Sequence, residues 1–217
     1  MNKIEAVVFD MDGLMFDTEK LWLDGVAKTN EVFGYNVPLE LIISCMGLRI
    51  DKIDIRLKEH LGEDFDTAKF RELNKKFMKE DVEKNGLRKK KGLVELLEFL
   101  KSKGVKMAVA SSSKIAKINE RFSQAGLSKD YFSVIVGGDE VTNPKPHPQI
   151  YLLACEKLGV NPKNSLALED SESGIMSAFN AGMKPILVPD LKIPSDEVKN
   201  KAFKIFESLD QVISLFE

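Results

Sequence analysis

Four short blocks of the sequence carry side chains suited to handling an anion. They are Asp10-Met11-Asp12-Gly13, Ser111-Ser112-Ser113, Asn143-Pro144-Lys145-Pro146 and Glu169-Asp170-Ser171. Asp10, Asp12, Glu169 and Asp170 offer hard oxygen ligands of the kind Mg²⁺ prefers, with room left for water and a substrate phosphate. Carboxylates crowded without a cation repel one another, and their pKa values rise. Lys145 supplies one positive charge, and a divalent ion is the expected remainder. Ser111 and the backbone amides after it, from Ser112 onward, can donate hydrogen bonds to an anion at a helix N-terminus. Metal, anion donors and lysine together describe a phosphoryl-transfer site. An aspartate nucleophile can split such a transfer through an aspartyl-phosphate. Repulsion is the difficulty: two unit charges about 4 Å apart, at an effective dielectric near 20, cost about 4 kcal/mol, and a phosphate dianion roughly doubles that. The three positive charges of Mg²⁺ and Lys145 reverse the sign of the local field.

The elements that must position these blocks can be read from apolar runs. Ala6–Phe9, Lys106–Ala110, Phe132–Val136, Ser165–Leu168 and Pro185–Val188 are apolar on consecutive rather than alternating positions, which suits strands buried on both faces of a parallel sheet. Amphipathic helices follow several of them. Leu93, Leu96, Leu97 and Leu100 share one helical face, and the segments 115–125, 150–158 and 173–181 stop at Gly126, Gly159 and Gly182. The alternation predicts a doubly wound, mainly parallel α/β sheet. Ligands of such sheets bind beyond the carboxyl ends of the strands, where all four blocks fall. Taken singly, Asp12, Asp170 or Ser111 reads as a helix cap and Lys145 as a surface lysine. Their joint occurrence at successive strand ends favours a site.

Residues 16–87 lack strand patterning and read as helices throughout. We read them as a helical insertion after the first strand, a cap over the carboxyl edge of a core formed by residues 1–15 and 88–217; helices that merely flank the sheet are the alternative. The charge run Arg88-Lys89-Lys90-Lys91 reads as a solvated hinge. The 217 residues carry 32 Lys and Arg against 34 Asp and Glu, a net charge of −2, which argues against a nucleic-acid or membrane-surface binder. Cys45 and Cys155 show no metal or disulfide spacing. No apolar stretch approaches a membrane span. A cytoplasmic monomer acting on a small phosphorylated metabolite is the expectation.

The pattern Asp10-x-Asp12-Gly13-x-x-x-Asp17-Thr18, with Ser111, Lys145 and Glu169-Asp170, resembles all four motifs of the haloacid dehalogenase superfamily. Within it, Asp17-Thr18-Glu19-x-x-Trp22, Gly47-Leu48-Arg49-Ile50-Asp51, Lys145-Pro146-His147-Pro148-Gln149-Ile150-Tyr151 and Leu168-Glu169-Asp170-Ser171 are similar to beta-phosphoglucomutase-like proteins, above all to bacterial hexose- and hexitol-phosphate phosphatases. The resemblance implies a Rossmann-like core with an inserted helical cap and a Mg²⁺-dependent phosphatase. It makes Asp10 the nucleophile and Asp12 the general acid, then base. It gives the metal to the Asp10 carboxylate, the Asp12 carbonyl and Asp170, with Glu169 either a ligand or one step removed. Ser111, Ser112 and Lys145 would bind phosphate. Mutases of this kind carry a cap histidine where this chain has Trp22, and basic residues near Met46 to Ile50, where only Arg49 is cationic. Trp22 and Arg49 are therefore the cap residues expected to meet substrate, Trp22 alternatively being cap core. Hexose phosphate mutase activity, with Arg49 holding a second phosphate, is the alternative function. A non-catalytic metabolite- or protein-binding module is another, which the intact acidic and lysine positions disfavour.

Overall fold

The structure is a computed structural model that describes residues 4–216. The chain divides into two compact units, one made of the residues up to Asp17 and from Leu87 onward, the other of Thr18–Gly86. β1 (Ala6–Phe9) is four buried apolar residues in a row. After it come the helices of the second unit, α1 (Thr18–Phe33), α2 (Leu39–Cys45), α3 (Ile50–Leu61) and α4 (Thr67–Asn85). Val26, Val37, Leu41, Ile42, Leu57 and Phe70 form the core of this unit. Tyr35 packs edge-on against Phe70 with ring centroids 5.5 Å apart. The start of α4 is fixed by Asp66, whose carboxylate accepts from the Lys69 amide at 2.9 Å.

The first unit continues with α5 (Leu93–Ser102), β2 (Lys106–Ala110), α6 (Ile115–Gln124), β3 (Val134–Val136), α7 (Gln149–Leu158), β4 (Ser165–Glu169), α8 (Glu172–Asn180), β5 (Lys184–Leu187), α9 (Asp196–Lys199) and β6 (Lys204–Ile205). The sheet order is β3-β2-β1-β4-β5-β6, every pair parallel. Phe9 lies level with Val109 of β2 and Leu168 of β4. Asp10, Ala110 and Glu169 therefore leave the sheet side by side. That register is what brings the chemistry together.

All five expected runs contain a strand. The third is shorter than its apolar run, because the Phe132 amide donates to Lys129 O at 2.9 Å and closes a turn instead of pairing. The Phe132 ring packs edge-on against Phe9 and Phe122 at 5.7 and 5.6 Å. β6 is a sixth strand that no apolar run announced; its two residues are exposed, and neighbouring backbone bonds from Phe203 to Pro185 and from Phe206 to Leu187 hold it. Phe16, Asp17 and Leu87, read above as part of the insertion, join the first unit. The Asp17 amide donates to Arg88 O and the Leu87 amide to Gln124 O, while the Phe16 ring packs edge-on against Phe122 at 5.5 Å. The basic run is only partly solvated, since Lys90 reaches Asp190 at 2.5 Å and Lys89 reaches Ala125 O at 2.6 Å. Among the described residues no helix is long and apolar enough to cross a membrane.

Candidate active site

Asp10 is the first residue beyond β1, its amide still bonded to Leu168 O at 3.0 Å. The chain then turns tightly, with Gly13 at φ 87° and its amide on Phe16 O. A β-carbon at Gly13 would collide with the Asp170 carboxylate, so this glycine is required both for its left-handed backbone and for the room it leaves. Glu169 ends β4 and is fully buried; Asp170 follows it, 8% exposed.

Lys145 is brought in by the proline-flanked loop after β3, through a cis Lys145–Pro146 bond. Its Nζ donates to Asp10 Oδ1 and to Glu169 Oε1, both at 2.6 Å, and to Ala110 O at 3.1 Å. Tyr151, in the first turn of α7, donates its hydroxyl to the same Glu169 Oε1 at 2.6 Å. Ser171 donates to Glu169 Oε2 at 3.0 Å while accepting from the Gly174 amide at 3.1 Å, which caps α8. Both oxygens of Glu169 are thus engaged by the protein.

The helix face under Glu169 is bare because residue 174 is glycine, and a β-carbon there would overlap the carboxylate. Alanine normally stabilises a helix interior over glycine by about 1 kcal/mol. Here the sign should reverse, with Gly174→Ala losing about 1–3 kcal/mol to overpacking. Denaturant unfolding reads this, and an unchanged or higher midpoint would show that Glu169 can give way.

Electrostatically, three carboxylates face one ammonium. Burial pushes the Asp10 carboxyl up from 3.8 to about 7; Lys145 pulls it down, and Glu169 adds to the rise. For Lys145, burial opposes the charge, but the Asp10 and Glu169 carboxylates outweigh it and the pKa is raised, so the ammonium stays protonated. Burial, then the neighbouring carboxylates, drives the Tyr151 phenol well above its ordinary value, and it stays a neutral donor. One oxygen from each of Asp10, Glu169 and Asp170 falls within 4.8 Å of the others. All are hard donors and the set carries excess negative charge, so a small divalent cation fits.

Asp12 lies at the margin of this cluster, its side chain 35% exposed. Ser113 Oγ donates to its Oδ2 at 2.9 Å, and the Arg121 guanidinium stands 3.6 Å from Oδ1. Ser111 is buried; its Oγ accepts from the Ser113 amide at 3.1 Å and keeps its own proton to donate. Ser112 is exposed, and Gly138 lets its carbonyl pass where a β-carbon would collide. Not every amide after Ser111 is available to an anion. Ser113 N is taken by Ser111, and Ile115 N, the first of α6, by Asp139 at 3.1 Å.

The fold therefore collects Asp10, Asp12, Ser111, Lys145, Glu169 and Asp170 on neighbouring strand ends. Trp22 and Arg49 belong to the helical unit. Trp22 packs against that unit's own core, and Arg49 is 88% exposed with its Nε on Asp51 at 3.2 Å. Tyr151 and Arg121 are residues of the site that the sequence reading misses, as is the bond from Ser113 to Asp12. Tyr151 stands six residues after Lys145, one helical turn into α7, the one spacing that could have drawn attention to it.

An open parallel sheet with carboxylates, a lysine and hydroxyl donors at its carboxyl edge is a Rossmann-like α/β fold carrying a site suited to an anion and a cation. The sequence pattern of the haloacid dehalogenase-like hydrolases matches residues 7–188. The chain is 38% identical over 189 residues to the phosphorylated carbohydrates phosphatase of Thermotoga maritima, covering 84% of each chain. It is 28% identical to hexitol phosphatase B of Escherichia coli, over 90% of this chain and 88% of that one. Among solved structures it superposes on a Clostridium difficile beta-phosphoglucomutase with TM-score 0.68 and 26% identity, over 96% of this chain and 93% of the other. The chain belongs to the haloacid dehalogenase-like hydrolases, on the branch that joins phosphatases with beta-phosphoglucomutase-like proteins, and is a phosphoric monoester hydrolase.

Proposed function

We propose that this enzyme is a cytoplasmic, Mg²⁺-dependent phosphatase of a small sugar or sugar-alcohol phosphate, working through an acyl phosphate on Asp10. The observation that carries the reading is the buried Asp10 carboxylate bonded at 2.6 Å to an ammonium that Glu169 also holds. With one oxygen on Lys145, Asp10 is held in one rotamer with its other oxygen available to attack phosphorus. The P–O bond to the leaving group breaks, and the electron pair goes to the leaving oxygen as Asp12 gives it a proton. Asp12, now a carboxylate, takes a proton from water, which attacks the phosphorus and returns the electron pair to Asp10. Lys145 and the Ser111 hydroxyl balance charge on the phosphoryl oxygens throughout. The Asp10 and Asp170 carboxylates and the Asp12 carbonyl would hold Mg²⁺, which supplies charge to the phosphoryl oxygens. Glu169 acts one step removed, holding Lys145 and Ser171, because both of its oxygens are already bonded within the protein.

The likeness to carbohydrate and hexitol phosphatases supports the substrate class. The helical unit would supply leaving-group selectivity, with Trp22 and Arg49 as its contacts. A mutase is the second reading, favoured by the likeness to a beta-phosphoglucomutase structure. Holding a bisphosphate calls for several cations, and Arg49 already pairs with Asp51. Phosphate release across a sugar-phosphate panel, with Mg²⁺ and with chelator, tests both readings. Release that stops on chelation supports the phosphatase; isomer conversion stimulated by a bisphosphate, without net release, replaces it with the mutase.

The raised Asp10 pKa adds a pH dependence. Below about 7 the metal-free carboxyl holds a proton that a cation must displace. The apparent Mg²⁺ affinity should therefore fall about tenfold from pH 8 to pH 6, with protons released on binding. Calorimetry in buffers of different ionisation enthalpy reads both quantities.

A further inference from the structure

The two aspartates of the first block have separate cations. Lys145 serves Asp10, and the cation beside Asp12 is Arg121, seven residues into the loop and helix that follow Lys114. Its side chain is only 13% exposed, and its Nε is buried with no hydrogen-bond partner among the described residues. A buried guanidinium N–H is costly to leave unmet unless a nearby charge compensates it. The group in front of it is Asp12 Oδ1, at 3.6 Å.

That distance is an ion pair without a hydrogen bond. A tight two-pronged contact would lock both carboxylate oxygens as an anion. Here the second prong is turned aside, since Nη1 points to Gln124 Oε1 at 3.4 Å and Gln124 is in turn bonded to Glu120 at 2.9 Å. Ser113 Oγ fixes the other oxygen, Oδ2, at 2.9 Å. Asp12 is thus aimed from two directions by α6 and the loop before it, while Oδ1 keeps its lone pairs for a proton. Lysine would not reproduce this, because a guanidinium is a planar, oriented donor and an ammonium is a point charge.

We propose that Arg121 is a positioning residue for Asp12, holding the carboxyl group where it can hand its proton to the leaving oxygen. The inference rests on the reading of Asp12 as the acid given above. As the P–O bond breaks, the leaving oxygen takes up the electron pair and then the Asp12 proton; Arg121 itself exchanges neither a proton nor an electron. Its influence should therefore depend on how much the leaving oxygen needs protonating.

The test compares single-turnover rates of leaving-group release by the Mg²⁺-loaded enzyme, a step that precedes the water attack in which Asp12 also serves. The two substrates are 4-nitrophenyl phosphate, whose leaving group departs without a proton, and the best sugar phosphate of the panel, an alkyl ester. Asp12→Asn is expected to lose about 100-fold or more on the alkyl ester and far less on the aryl ester. Arg121→Gln should lose about tenfold on the alkyl ester and stay within about twofold on the aryl ester, with Arg121→Lys recovering part of the loss. A cooperative thermal unfolding transition like that of the wild type shows that the variants fold. Equal losses of Arg121→Gln on both esters, or no loss on either, overturn the proposal. If Asp12→Asn also ignores the leaving group, the acid assignment fails and the inference goes with it. If Asp12→Asn discriminates and Arg121→Gln does not, the inference alone fails.

Discussion

Asp10→Asn is expected to cut phosphate release by at least about 10⁴-fold, because the amide cannot form the acyl phosphate and Glu169, the other carboxylate on Lys145, has both oxygens bonded within the protein. The substitution is nearly isosteric, so the protein should fold. A stability signature accompanies the loss. The buried Asp10 carboxyl titrates near 7, above its unfolded value of 3.8, so the folded state binds the extra proton between them. Its stabilising contribution is full below pH 3.8 and is lost as pH rises through about 7. In chelator, the Tm of Asp10→Asn should therefore gain on that of the wild type between pH 5 and pH 8. A variant that keeps turnover would remove Asp10 from the mechanism; a constant Tm difference would refute the buried titration.

Lys145→Ala carries the second large effect. The side chain is 4% exposed, and its partners Asp10 and Glu169 are 12% and 0% exposed, so its removal leaves two buried carboxylates facing each other uncompensated. Breaking a buried pair in this way costs about 3–5 kcal/mol. Denaturant unfolding in chelator should show that loss at pH 8 and less of it at pH 6, where Asp10 is largely protonated. The double change Lys145→Met with Glu169→Gln should recover part of it, since the surplus charge goes with the carboxylate. A loss under about 1 kcal/mol would mean that water or a rearranged partner screens the pair.

Most residues of the candidate site are legible in the sequence. Consecutive apolar residues marked β1, β2 and β4 because parallel strands are buried on both faces, and the polar residues that end those runs are Asp10, Ser111 and Glu169. Lys145 stood out for its flanking prolines and its place after the third run. What stayed hidden depends on packing between distant elements. Arg121 meets Asp12 only because α6 packs beside the turn after β1, a contact across 109 positions that no spacing encodes. Tyr151 lies within a motif named above, yet its bond to Glu169 needs α7 docked against β2 and β3. β6 is not legible because its two residues, Lys204 and Ile205, are exposed and make no buried apolar run; β5 recruits it through backbone bonds. Lys90 looked solvated because a run of four cations usually is, and only the fold shows Asp190 beside it.

The central claim is an acyl phosphate on Asp10, and trapping that intermediate tests it most directly. The Mg²⁺-loaded enzyme, mixed with labelled acetyl phosphate and acid-quenched from milliseconds to steady state, should carry label on the peptide containing Asp10. Hydroxylamine should remove it, as it removes acyl phosphates. Label on another residue, or turnover at every time point with no label on the protein, would contradict the account.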